Sequence, residues 1–184
     1  YNVYGNFYAD LNTYNLVSQT ISLIPGYNFQ NGAFTLPIAY SYIWFDERSY
    51  QWVLLAKPTV NLILSPNHIG QFYFEYARRE MMIRPINRYE DRDGNIYVIS
   101  PGYFRPFSGG RGIFNMRYEF SIDNTEGKNW ENIGNRFALN LLVPLPFIDK
   151  MSLTISGDVF WQRYQHTHTV FEEKRKDTTY FVSG

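Results

Sequence analysis

Residues 113–123, IFNMRYEFSID, alternate without a slip between oily and polar positions. Phe114, Met116, Tyr118, Phe120 and Ile122 fall on one face of an extended chain, and Asn115, Arg117, Glu119, Ser121 and Asp123 on the other. Successive side chains of a strand point to opposite faces, so this stretch reads as a strand between two different environments. One face is nearly all large and aromatic, while the other carries full charges. Which face is the inside decides the class of protein.

The same pattern recurs along the chain. Ten strand segments are predicted, at about 1–12, 18–30, 33–45, 51–64, 69–80, 95–106, 112–123, 134–144, 151–165 and 176–184, and no convincing amphipathic helix. In 33–45, Phe34, Leu36, Ile38, Tyr40, Tyr42 and Trp44 oppose Thr35, Ala39 and Ser41. In 51–64, Trp52, Leu54, Ala56, Val60, Leu62 and Leu64 oppose Lys57, Thr59 and Asn61. Phe72, Phe74 and Tyr76 oppose Gln71, Glu75 and Arg79, and Phe137, Leu139, Leu141 and Val143 oppose Arg136 and Asn140. Leu153, Ile155, Val159 and Trp161 oppose Thr154, Ser156 and Asp158; Val3, Phe7 and Leu11 oppose Asn2, Asn6 and Asp10. Segment 95–106 is the weakest, interrupted by Pro101 and Gly102.

In a soluble barrel or lipid-binding sandwich the aromatics would have to crowd inside. With 16 Tyr, 15 Phe and 4 Trp, lipid is the better host for that bulk, and a narrow lumen suits the Ser, Thr, Asn, Gly and Ala of the other face. The expected fold is therefore all-β: a transmembrane up-and-down antiparallel β-barrel of about ten strands. A soluble lipid-binding barrel is the competing reading. Trp44, Trp52, Tyr97 and Trp161 lie near one end of their strands, and Tyr27, Phe29, Phe34, Phe72, Tyr103 and Phe114 near the other, as two interfacial girdles would.

The connections sort in the same sense. One set is short and rich in turn formers: QNGA (30–33), SPNH (65–68), PFSGGRG (106–112) and PLPFIDK (144–150). The other set is longer: 11–19, 45–51, 80–95, 123–133 and 166–177. Four of those five hold 20 of the chain's 34 acidic and basic residues. Short turns on the periplasmic side and long charged loops outside are the habit of outer-membrane barrels, which places the protein in the bacterial outer membrane.

Charge and cysteine narrow the function. Formal net charge is zero, which argues against nucleic acid as a partner. No cysteine is present, which excludes disulfides and thiolate chemistry. The inward charges are Lys57, Glu75, Arg79, Arg117, Glu119, Arg136 and Asp158. Enclosed charges must pair, so a lumen network is expected, either as a solute-selecting constriction or as a salt-bridged plug; the plug is the simpler expectation in so narrow a barrel. His166 and His168 share a side of an extended segment, but no third zinc ligand is evident. DRDGN (91–95) resembles the start of a calcium loop, but Gly102 stands where its closing glutamate belongs, so a polar turn is expected. No nucleophile elbow, phosphate loop or zinc-protease motif occurs, so no catalytic residue, metal, cofactor or enzymatic activity is expected.

The stretches YEFSIDNTEGKNWENIGNRFALNLLVPL and SGDVFWQRYQHTHTVFEEKRKDTTY, within residues 112–184, resemble the C-terminal barrel of bacterial tetratricopeptide-repeat outer-membrane proteins. That resemblance implies periplasmic helical repeats ahead of a barrel and a link with polysaccharide export or surface-protein assembly. It carries over no functional residue. Residues 1–184, starting at Tyr1 without a methionine, are thus expected to be one barrel domain of a larger envelope protein. It would serve as a pore, export module or membrane anchor, with outer-membrane lipid and a periplasmic or envelope protein as partners. The alternative is a closed barrel that binds through its outer loops.

Overall fold

The computed structural model describes residues 1–6, 15–46, 48–145 and 151–184. Phe7, Asp10, Leu11 and most of the 144–150 turn lie outside them. The described chain is an antiparallel up-and-down sheet of thirteen strands. They are β1 (Asn2–Asn6), β2 (Leu16–Leu23), β3 (Gly26–Phe29), β4 (Gly32–Thr35), β5 (Ile38–Phe45), β6 (Arg48–Ala56) and β7 (Thr59–Ser65). β8 (His68–Met81), β9 (Gly94–Phe107), β10 (Gly112–Thr125), β11 (Asn132–Pro144), β12 (Ser152–Tyr164) and β13 (Lys176–Ser183) follow.

Ten passes across the sheet contain these thirteen strands, because three passes are each broken by a two-residue gap. Residues 24–25 split β2 from β3, 36–37 split β4 from β5, and 57–58 split β6 from β7; each gap ends in a proline, Pro25, Pro37 or Pro58. Proline has no N–H to give the ladder. The carbonyls still serve: Pro25 O accepts from Leu36 N at 2.9 Å, Pro37 O from Lys57 N at 2.8 Å, and Pro58 O from Phe74 N at 3.2 Å. The three prolines thus form a row of breaks across neighbouring passes. Pro101 leaves its own strand intact, but the β9–β10 ladder skips Ser100 and Pro101. Side-chain alternation survives each break, so one face stays oily from end to end.

That face is the convex one. Phe72, Phe74, Ile99, Met116, Tyr118, Phe137, Leu139 and Ile155 are all exposed there. The aromatics predicted for the two girdles share it, with cross-strand contacts Tyr76–Tyr97 and Tyr103–Phe114 at 5.5 and 6.3 Å between ring centroids. The tightest packing is on the concave, polar face: Tyr73 is 3 % exposed and Ser100 0 %. Ile96 and Val98 of β9 line one cavity with Thr179 and Phe181 of β13, four strands away, so the sheet curls toward itself.

The curl stops short of a cylinder: among the described residues no ladder joins β1 to β13. A closed barrel needs its two edge strands to run side by side over a common length. Among the described residues β1 pairs with Leu16–Thr20 of β2.

Asn-Gly at 31–32, predicted as a turn signal, has a second cause. Gly32 is the first residue of β4, and a Cβ there would sit 2.1 Å from Asn61 O and 2.8 Å from the Phe29 ring. Close approach of strands, not turn geometry, demands that glycine.

Candidate functional site

Even spacing along β8, β10, β11 and β12 aims the predicted inward charges at the concave face. Lys57 Nζ lies 3.0 Å from Glu75 and 3.8 Å from the centre of the Tyr73 ring. The Tyr73 hydroxyl donates to Glu119 across the intervening β9. It can reach because β9 offers only Ser100 and Gly102 at that level. Glu119 holds Arg117 at 3.0 Å and stands 4.0 Å from Arg136. Arg136 in turn grips Asp158 with two hydrogen bonds, Nε to Oδ1 at 3.1 Å and Nη2 to Oδ2 at 2.8 Å. Six of the seven predicted residues therefore form one band: Glu75, Lys57, Arg117, Glu119, Arg136 and Asp158.

Arg79, the seventh, is apart. It donates to both carboxylate oxygens of Asp123 at 3.2 Å and to the Arg92 carbonyl at 3.0 Å, nearer the long-loop end. With Asp123 included, these pairs bring together four cations and four anions, and Asp177, paired with Arg175 at 2.7 Å, stands on the same face at the rim. Glu75 meets Lys57, and Tyr73 is the bridge that charge patterning alone missed.

Beside this band runs an apolar strip of Ile96, Val98, Phe160 and Phe181. Phe160 breaks the oily-out rule of its strand. Gly134 makes room for it, since a Cβ there would come within 2.9 Å of the Phe160 ring. Three cavities follow one another along the face. The first, about 580 Å³, shares Arg136, Asp158 and Phe181 with a second of about 410 Å³. The second shares Phe104, Asn115 and Arg117 with a third of about 270 Å³. Together they make a track from the long-loop end to the short-turn end.

At the long-loop end, three loops fold onto each other. Asn129, 3 % exposed, donates to Glu90 Oε1 at 2.7 Å and to Thr169 Oγ1 at 2.9 Å, and accepts from Thr169 N at 3.1 Å. Trp130 Nε1 donates to Glu90 Oε2 at 2.9 Å, with the Arg92 guanidinium 3.5 Å over its ring. His166 and His168 address separate carboxylates, Glu131 at 2.7 Å and Glu90 at 3.8 Å. Asp91 and Asp93 brace a turn: Asp91 Oδ1 accepts from Asp93 N at 3.0 Å, and Asp93 Oδ1 accepts from Met81 N.

Comparison with known families gives the chain its family. The family model for surface lipoprotein assembly modifier matches residues 1–184. The chain belongs to that family. It is an outer-membrane β-barrel family, in keeping with the all-β sheet, and its name points to work on surface lipoproteins in the envelope. No curated protein and no solved structure matches the chain significantly. The outer-membrane barrel part of the resemblance drawn from residues 112–184 is thereby supported; the tetratricopeptide-repeat part is not.

Proposed function

We propose that this chain is the membrane-embedded barrel module of a larger envelope protein in the bacterial outer membrane. Its concave face guides an extended stretch of lipoprotein toward the cell surface, without a covalent step. The observation that supports this is the continuous track of three cavities. An extended polypeptide needs hydrogen-bonding partners for its backbone and apolar contacts for its side chains. The track offers both, as a charge-balanced band beside Ile96, Val98, Phe160 and Phe181. Zero net charge along it leaves varied segments free to slide. In this reading lipid covers the convex aromatics, and the helical-repeat domain implied by the resemblance supplies the periplasmic partner.

The test is surface display. In cells carrying an epitope-tagged surface lipoprotein, a cysteine at Ser156 labelled with a bulky maleimide blocks the track. Protease-accessible lipoprotein should fall to the level of a strain lacking this chain, while the barrel keeps its heat-modifiable gel migration. Undiminished display through a labelled barrel would refute the track as the route.

The ordered loop cluster favours a second reading, a closed barrel whose cap binds the lipoprotein from outside. Planar-bilayer recordings separate the two: a through-going track conducts, and a closed one gives no steady current.

A further inference from the structure

On the convex wall, Arg163 of β12 and Lys176 of β13 stand directly opposite each other. Both are exposed, and neither side chain has an ion pair or hydrogen bond among the described residues. Like charges directly opposed across two strands are destabilising. The neighbouring carboxylates do not relieve them: Asp177 is held by Arg175 at 2.7 Å, and Glu131 by His166. The exposed Glu172 and Glu173 form no ion pair with either cation.

The wall below this pair has a graded chemistry. Trp161 and Thr178 form the next row on the same face, then Val159 and Tyr180, then Gly157 and Val182. Gly157 points its missing side chain outward between Leu139 and Val182, both exposed. A Cβ there would meet only Phe181 O, at 3.5 Å, so packing does not require glycine. The result is a slot in an otherwise bulky wall. From Arg163 to Gly157 is about 20 Å along the strand, or about 15 Å of depth at a barrel strand's tilt. That is about half the thickness of the hydrocarbon core, so with the cations among the headgroups the slot lies well inside the leaflet, at acyl-chain depth.

We propose that Arg163 and Lys176 clamp the phosphate of an outer-leaflet phosphorylated glycolipid, with an acyl chain lying past Trp161 and Val159 into the slot over Gly157. The proposal rests on the outer-membrane orientation above, with charged loops outside, but not on the lipoprotein role. A phosphate monoester brings up to two negative charges to two cations, and guanidinium grips it through two hydrogen bonds. A zwitterionic phospholipid brings its own cation and leaves the repulsion in place.

The test is lipid retention by the full chain in phosphatidylcholine nanodiscs doped with lipid A, read by native mass spectrometry. Wild type should retain lipid A over phosphatidylcholine. The Arg163→Gln/Lys176→Gln variant should lose about thirtyfold of that preference, two juxtamembrane cations' worth. Gly157→Leu should weaken lipid A retention with both cations present. Unchanged selectivity in the double variant, or equal retention of dephosphorylated lipid A, overturns the clamp. Equal retention of phosphatidic acid overturns the glycolipid assignment, and displacement by millimolar inorganic phosphate overturns the acyl slot. Heat-modifiable migration of each variant confirms a folded barrel, and no lipoprotein enters the assay, so its failure leaves the export reading untouched.

Discussion

From β2 to β7 the strands run four to nine residues before they break, whereas β8 to β12 run thirteen or fourteen. Among the described residues, Lys57 is the one member of the concave ion-pair band and the Arg79–Asp123 pair that comes from the broken half. The broken half lines its concave side with small residues instead, such as Thr20 and Ser41, whose hydroxyls meet at 2.8 Å. The contrast has a physical cause. An ion pair between adjacent strands works only if both side chains arrive at one level, and a continuous ladder holds that level over many residues. A row of prolines gives up ladder hydrogen bonds, and the sheet can bend there. Where the sheet bends, small uncharged residues tolerate the loss of level; where it runs straight, charges can be matched.

Predictions follow from that contrast. If both halves present their convex face to lipid, Phe74→Arg in β8 and Leu54→Arg in β6 should each lower unfolding free energy by about 2–4 kcal/mol, measured by urea titration in lipid vesicles. A cost for Phe74→Arg alone would mean the broken half is covered by protein instead. Asp158→Ala strands the Arg136 guanidinium, which is only partly exposed to water, and should cost about 2 kcal/mol. Ser41→Ala in the broken half should cost about 1 kcal/mol or less; equal losses would erase the distinction between the two concave linings. Trp130→Ala removes a hydrogen bond to Glu90 and the Arg92 stacking contact. It should cost about 1–2 kcal/mol, confined to the loop cluster and visible as faster proteolysis at 82–93 with the strands still protected. Pro37→Ala should change global stability least, by about 0.5–1 kcal/mol through the unfolded state; a larger effect would show that the proline row sets the curvature.

Much of the fold was legible because alternation is a local property. Nine of the ten predicted segments coincide with passes to within a few residues, the first is matched over Asn2–Asn6 with the remainder outside the described residues, and the face assigned to Phe34, Phe74, Phe120 and Leu141 is the convex one. The breaks were harder to see: Pro25, Pro37 and Pro58 lie 12 to 21 residues apart in sequence, and only pairing shows that they form a row. The candidate site was half legible. Parity placed all seven charges on the concave face, but their partners depend on register and on the small residues of the strand between. Hence Arg79 turned to Asp123, Glu75 turned to Lys57, and Tyr73 became the link to Glu119. The loops read as solvated charge, yet Asn129, Glu90 and Thr169 meet because the strands beneath bring three distant connections side by side.

By itself, then, the amino-acid order determined which side chains share a face, how many times the chain crosses the sheet, and that its charges must be sheltered together. Those follow from the two-residue repeat of an extended backbone and the high cost of an isolated buried charge. The tertiary structure alone decided which charge meets which, where Phe160 and Phe181 lay an apolar strip beside them, and that Arg163 faces Lys176 without relief. Such pairings depend on strand register and curvature, which neighbouring strands impose on one another.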